Sequence, residues 1–245
     1  MAITIEINTV EAWQETPSVR TFAFEPADPS FEYQPGQYIS VELPGVDDPR
    51  GPMRPFTLSS SPTERGSLHI TSKMTGTPFK EALCRLAERG GKPGGELKLR
   101  GPMGGFTLEP ARPAVMIAGG IGITPFRSMI RYLNDQDRDP PVVLVYSNDT
   151  PGNIVFREEL DSLAGIADWL KVIHTITRPE DSKEPWSGHT GYVDAGLLET
   201  AAGGLEQPLF YVCGPPGMVA AVSEALTHGL GIPDYDLRSE TFTGY

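Results

Sequence analysis

The strongest constraint on this chain is a change of rhythm near residue 110. Before it, short β-prone runs (ITIEI, VRTFAF, QYISVEL, RPFTLSS, SLHITSK and ELKLRG) are separated by turns rich in Pro and Gly. Such spacing predicts a small antiparallel barrel. One helix interrupts it, because Phe79, Leu83, Leu86 and Ala87 recur at helical spacing before Gly90-Gly91. That helix is expected to plug the open end of the barrel. From Pro113 apolar strands alternate with amphipathic helices: AVMIAGG, a helix from Pro125, VVLVYS, a helix near Asn153 to Leu163, LKVIHTIT, LFYVCG, a helix from Pro216, and a last strand DLRSETF. Alternation of this kind calls for a parallel sheet covered on both faces. The stripes Phe126, Met129, Ile130, Leu133 and Met218, Val222, Ala225, Leu226 are expected to pack on it. The sequence EPARP at Glu109 to Pro113 cannot continue a central strand. The expected fold class is therefore β + α/β, an antiparallel β-barrel domain over 1–110 followed by a parallel-sheet α/β domain over 111–245.

Several function classes are excluded by what the chain lacks. The longest uncharged stretch about the apolar centre, Pro113 to Phe126, has 14 residues, whereas a membrane helix needs ~20. The first residues, MAITIEINTV, carry no basic start followed by an apolar run, and a cytoplasmic protein is expected. Cys84 and Cys213 stand far apart without a CxxC pair, so the chain builds neither a disulfide framework nor a four-thiolate cluster. None of His69, His174, His189 or His228 clusters with carboxylates at metal-ligand spacing. The net charge of −12 argues against nucleic acid or an anionic membrane as partner. Residues 65–100 depart from that balance, with 8 basic and 3 acidic groups.

Three segments could carry chemistry. Gly119-Gly120-Ile121-Gly122-Ile123-Thr124-Pro125 follows a buried strand and opens a helix, with Thr124 suited to the N-cap and Pro125 to the first helical position. Its glycines would let backbone amides approach an anion such as a pyrophosphate, or serve only a tight turn. Cys213-Gly214-Pro215-Pro216-Gly217-Met218 delivers a cysteine to the carboxyl edge of the sheet, where open α/β sheets bind ligands, unless it is simply a buried thiol. On Arg54-Pro55-Phe56-Thr57-Leu58-Ser59-Ser60-Ser61, period two puts Arg54, Phe56 and Leu58 on one face. An aromatic ring beside a guanidinium suits a planar ligand bearing phosphate, though a core Phe56 with a surface Arg54 gives the same pattern.

PGQY at Pro35 to Tyr38, RPFTLSS at Arg54 to Ser60, GPMGGF at Gly101 to Phe106, GGIGITP, CGPPGM and ETFTGY at Glu240 to Tyr245 together resemble the ferredoxin–NADP reductase superfamily over essentially the whole chain. The resemblance implies a flavin-binding barrel followed by a pyridine-nucleotide-binding domain. It implies that Arg54 holds the flavin pyrophosphate beside Pro55, that Phe56 (usually Tyr) packs on the isoalloxazine, and that Thr57 faces flavin N5. Where the family carries Gly-x-x-Ser, this chain has Gly76-Thr77-Pro78-Phe79-Lys80, so Thr77 with the amides of Phe79 and Lys80 is expected to contact the pyrophosphate. Gly119, Gly120, Gly122, Thr124 and Pro125 resemble the nucleotide-diphosphate loop. Cys213, Gly214 and Pro215 resemble the segment beside the nicotinamide. Glu240 and Phe242 fall where relatives carry an acidic residue and an aromatic near the flavin, with either Phe242 or Tyr245 covering the ring.

The implied activity is hydride transfer from NADPH or NADH to FAD, rather than FMN, with Thr57, Cys213 and Glu240 at the reacting centre. Electrons then pass to a separate carrier such as a ferredoxin or to an oxygenase component. A reductase that releases reduced flavin, and a non-catalytic nucleotide-binding redox sensor, are the alternatives. Lys73, Lys80, Arg85, Arg89 and Lys92 could steer an acidic carrier. Thr177-Arg178 resembles the pair that grips a 2'-phosphate, with Ser147 assisting, whereas Asp149 would repel that phosphate; the balance leans to NADPH.

Overall fold

A computed structural model describes residues 3–136 and 140–243. The chain divides into two compact units. Among the described residues, one comprises those up to Leu108 together with Arg127–Asp135; the other comprises Glu109–Phe126 and those from Gln136 to Thr243.

The first unit contains β1 (Ile3–Ile5), β2 (Ile7–Thr16), β3 (Val19–Pro26), β4 (Tyr38–Glu42), β5 (Met53–Thr57), β6 (Leu68–Lys73), α1 (Pro78–Arg89) and β7 (Lys98–Met103). These strands form two antiparallel sheets, ordered β1-β7-β4-β5 and β2-β3-β6. An isolated bridge between Leu58 and Ile70 ties β5 toward β6. Period-two alternation turns Ile39, Val41 and Leu99 inward, where they meet Phe22, Phe24, Leu58 and Ile70 in one core. Pro55 lies on β5 at the edge of its sheet, where a missing N–H leaves no ladder bond unmade. Helix α1 starts where Thr77 caps it, the hydroxyl accepting from the Lys80 amide at 3.4 Å, with Pro78 as its first residue. It stops at Gly90, whose φ of 63° an L side chain resists. Its Phe79, Leu83 and Leu86 are buried in the same core, as a helix plugging the barrel requires.

The second unit holds β8 (Ala114–Gly119), the start of α2 (Thr124–Asp135), β9 (Val142–Asn148), α3 (Arg157–Ala164), β10 (Leu170–Ile176), β11 (His189–Thr190), α4 (Ala195–Ala202), β12 (Leu209–Gly214), α5 (Pro216–Glu224) and β13 (Leu237–Thr241). All six strands are parallel, in the order β11-β10-β9-β8-β12-β13. Every residue of β8 and of β12 is buried, which explains their unbroken apolar runs. The chain travels outward from β8 through β9, β10 and β11, then returns to the other side of β8 with β12. The strand order therefore reverses between β8 and β12, the position at which open sheets of this class bind ligands.

Four expectations need correction. ITIEI is not one strand: Glu6 separates β1 from β2, and β2 runs on through VEAWQET. Thr124 is not an N-cap but the first residue of α2, entered directly from a 3-10 turn; its hydroxyl donates to the Ile121 carbonyl at 3.3 Å. The α2 stripe is fully buried, yet from Arg127 onward the helix groups with the first unit, not with the sheet. There Arg127 donates to the Ser59 carbonyl at 2.7 Å and Ser128 to the Ser60 carbonyl at 2.6 Å, capturing main-chain acceptors of the turn after β5. The helix near residue 153 begins only at Arg157, and β11 and α4 lie in a stretch the sequence reading left without elements.

Candidate functional site

In the first unit an anion-binding cradle forms where the β4–β5 loop, β5 and the start of α1 meet. Arg54 is buried, not at the surface. Its Nη1 donates to the carbonyls of Arg50, Gly51 and Met53, each at 2.8 Å, and its Nη2 pairs with the Asp48 carboxylate. The guanidinium carbon sits 5.1 Å from the centre of the Phe79 ring. Phe56 lies 6.2 Å from Phe79, with the rings inclined by 28°. Phe56 is only partly buried, keeping ring surface outside the core. Thr57, opposite Tyr38 in the ladder, is buried. The Phe79 amide donates to Asp48 Oδ2 at 3.1 Å, so a carboxylate already occupies the positive end of α1.

Lys80 points inward from the first turn of α1. Its ammonium donates to the Lys73 carbonyl at 2.6 Å and to the Thr75 hydroxyl at 3.2 Å. Burial first, and then the charges of Arg50, Arg54 and Lys73, pull its pKa down to about 8. The charges of Arg50, Arg54 and Lys73 thus reach Lys80, and of these Arg54 is paired with the Asp48 carboxylate. Lys80 is therefore not a surface charge available for steering, and Arg85 and Arg89 are paired with Glu81 and Glu96 at 3.9 and 2.9 Å. Sequence reading missed Asp48 itself. The signal was a turn, Asp48-Pro49-Arg50-Gly51, in which the Asp48 side chain accepts from the Arg50 amide at 2.9 Å.

In the second unit the glycine loop after β8 and the CGPPG segment after β12 meet at the carboxyl edge. At Gly122 the contact is backbone to backbone, since a Cβ there would lie 2.3 Å from the Cys213 carbonyl oxygen; a Cβ on Gly119 would instead meet a side chain, at 2.3 Å from Met218 Sδ. Gly120 takes a φ of 52°. Both readings of these glycines therefore have a physical basis, since the steric need is real and the loops it joins sit at the strand-order reversal. Beneath them the buried Tyr146 hydroxyl donates to the Gly120 carbonyl at 3.2 Å and accepts from the Val155 amide at 3.3 Å. Thr124 is buried with its hydroxyl turned to Ile121, and Pro125 follows it inside the helix.

Cys213 is fully buried and stands directly across the ladder from Glu240. Burial, and then Glu240, push its thiol well above the usual range. Burial raises the Glu240 carboxyl to about 7, and its Oε2 has no hydrogen-bond partner among the described residues. Phe242 follows β13, its amide donating to the Gly214 carbonyl at 2.9 Å; Tyr245 lies outside the described residues. At the ends of β9 and β10, Arg178 pairs with Asp149 at 2.9 Å and with Asp181 at 3.5 Å. The Thr177 amide and hydroxyl both donate to the Asn148 carbonyl, at 2.9 and 3.3 Å. A half-buried carboxyl that titrates near neutrality beside a glycine-lined edge can hold or release a proton where a ligand reacts.

Residues 116–224 match the family model described as the oxidoreductase NAD-binding domain. The chain is 32% identical over 237 residues to the glycine betaine monooxygenase reductase subunit of Chromohalobacter salexigens, covering 95% of this chain and 63% of that relative. The chain thus spans less than two thirds of that protein's length. It is also 32% identical over 238 residues to ferredoxin–NADP reductase B of Sorangium cellulosum, covering 93% of each. Among solved structures, a Neisseria gonorrhoeae ferredoxin NADP+ reductase with bound FAD and NADP superposes with a TM-score of 0.75 at 20% identity, covering 98% of this chain and 97% of that one. With a relative matched nearly end to end at this identity, and with the barrel and the parallel sheet both in place, the chain belongs to the ferredoxin–NADP reductase family.

Proposed function

We propose that this chain is an FAD-dependent NAD(P)H oxidoreductase that passes electrons to a separate protein, either a ferredoxin-like carrier or an oxygenase component. Residues 1–110 would hold the flavin and residues 111–245 the nucleotide. One observation carries the reading: a cationic, half-aromatic cradle in the barrel is already tuned to an anion, because the Asp48 carboxylate sits on Arg54 and on the Phe79 amide in the first turn of α1. The donor set fits a flavin diphosphate. Arg54, Thr77, the Phe79 and Lys80 amides and the Lys80 ammonium would bind it, while the open surface of Phe56 would pack on the ring system. The family resemblance and the names of the relatives supply the partner class. For the compartment we propose the cytoplasm, where the two unbridged cysteines would stay reduced.

Bound FAD supplies a group that takes two electrons from a nicotinamide and releases them singly. The chain's own residues then have four tasks. Thr57 would present its hydroxyl to the reacting edge. The Gly119, Gly120 and Gly122 loop offers backbone to the nucleotide diphosphate. Cys213, Gly214 and Pro215 shape the nicotinamide seat and keep water out, with Phe242 beside them. Glu240, neutral below about pH 7 and charged above it, holds a proton close by.

Coenzyme choice follows from charge. Arg178 is committed to Asp149 and Asp181, so a 2'-phosphate would meet a cluster with a net negative charge, whereas a ribose hydroxyl can donate to Asp149. We therefore favour NADH, against the lean to NADPH drawn from the sequence, where Arg178 is weighed without its ion pairs to Asp149 and Asp181. The test is flavin analysis of the purified protein. A yellow protein holding one FAD per chain, and an Arg54→Ala variant that loses it, support the reading; a colourless protein that takes up no added flavin refutes it.

A further inference from the structure

The cradle in the barrel is filled by part of the chain itself. Asp48 Oδ1 accepts from Arg54 Nη2 and from the Arg50 amide, and Oδ2 accepts from the Phe79 amide. Its side chain is 2% exposed. Arg54 and the Phe79 amide are the donors that the flavin reading assigns to a diphosphate, so two anions claim one place. They cannot share it, since like charges at contact distance repel strongly in a partly dehydrated site.

We propose that Asp48 is a tethered counter-anion that occupies the diphosphate cradle of the flavin-free protein and gives it up when a flavin diphosphate enters. This rests on the flavin reading of the first unit. The architecture of the loop supports exchange rather than permanent support. The bonds to the Arg50 amide and, through the Asp48 carbonyl, to the Gly51 amide at 2.8 Å are internal to the loop. They travel with it. Of the bonds Asp48 makes, those to Arg54 and Phe79 reach beyond the loop, and these are the two that phosphate oxygens can replace. The segment is bounded by Gly45 and Gly51 at φ of 84° and 79°, backbone that tolerates reorientation without a side-chain penalty. Charge favours the exchange as well. Arg54 pairs with Asp48, and the charges of Arg50, Arg54 and Lys73 bear on the neighbouring Lys80; a diphosphate brings more negative charge to this region than one carboxylate does. Flavin affinity is then the difference between two anions, and Asp48 sets how tightly the cofactor is held.

The test compares wild type with Asp48→Asn, measuring FAD binding to the stripped protein by fluorescence quenching and inorganic pyrophosphate binding by calorimetry. Release of the competitor is expected to tighten both by about tenfold or more. Unchanged or weaker binding of both would overturn the proposal and make Asp48 a support for Arg54. Should the variant not fold, hydrogen exchange on wild type decides: adding pyrophosphate to the stripped protein is expected to speed exchange of the amides from Val46 to Gly51, and unchanged or slowed exchange overturns the proposal. The two readings fail separately. Wild type that binds no FAD ends the flavin assignment, while tighter pyrophosphate binding by the variant still establishes exchange at the cradle. Wild type that binds FAD, with a variant that gains nothing, ends the Asp48 proposal alone.

Discussion

Glu240 is a residue whose environment is at odds with its chemistry. A carboxyl normally near 4.5 is held at about 7 by burial, so the folded chain binds a proton that the unfolded chain has lost between those values. Stability is therefore greatest below about pH 4.5 as far as this group is concerned, and falls as pH rises toward 7, by up to about 3 kcal/mol. Glu240→Gln should flatten that slope and raise the melting temperature at pH 8, while slowing nicotinamide-dependent flavin reduction; a melting profile as steep as wild type would show that another group is responsible. Asp149 is proposed to act on specificity instead. Replacing it with Asn frees Arg178 of its nearest carboxylate and should shift the ratio of kcat/KM toward NADPH by about tenfold, or 1.4 kcal/mol. A ratio that does not move would assign coenzyme choice to other residues. Residue identities of this kind were only half legible. Arg54, Cys213 and Glu240 are proposed from motifs, whereas the Asp48 carboxylate on Arg54 joins positions on opposite sides of a turn, and nothing in the local pattern announces which donors an Asp in a loop will find.

Elements were more legible than their partners. Periodicity located α1 because Thr77, Pro78 and Gly90 punctuate it and its apolar face is complete. The parallel strands were evident because both faces are covered and their runs are unbroken. The two-residue β11 and the eight-residue α4 were missed, since the first offers no alternation and the second is marked mainly by its cap, Asp194 accepting from the Leu197 amide at 2.9 Å. The α2 stripe was read correctly as buried, yet hydrophobicity does not say against what; Arg127 and Ser128 chose the turn carbonyls of the first unit. At this scale Gly122 is the informative position. An added methyl would press on the Cys213 carbonyl at 2.3 Å and on Gly214 Cα at 2.8 Å, main-chain atoms that cannot rotate away. Gly122→Ala should cost about 1–3 kcal/mol and raise the KM for NADH while leaving flavin content intact. Loss of flavin instead, measured by absorbance, would contradict the assignment of this loop to the nucleotide.

For the whole molecule, the change of rhythm near residue 110 carried more information than any motif, because it separates two ways of burying a sheet. The first half hides one face of each antiparallel strand and closes its core with α1; the second covers both faces of a parallel sheet with helices. Charge was less informative. The basic stretch from 65 to 100 read as one patch, but the fold sends Lys80 inward and pairs Arg85 and Arg89 with neighbouring glutamates, so a linear count overstates the field a partner would meet. The division of labour proposed for the two halves requires that a reduced nicotinamide hand its hydride to a flavin on the same chain. Anaerobic titration of the yellow protein with NADH, followed by absorbance, addresses this directly. The flavin band should bleach fully with one equivalent of NADH per flavin and return on addition of a one-electron acceptor, whereas a band untouched by both NADH and NADPH would contradict the account.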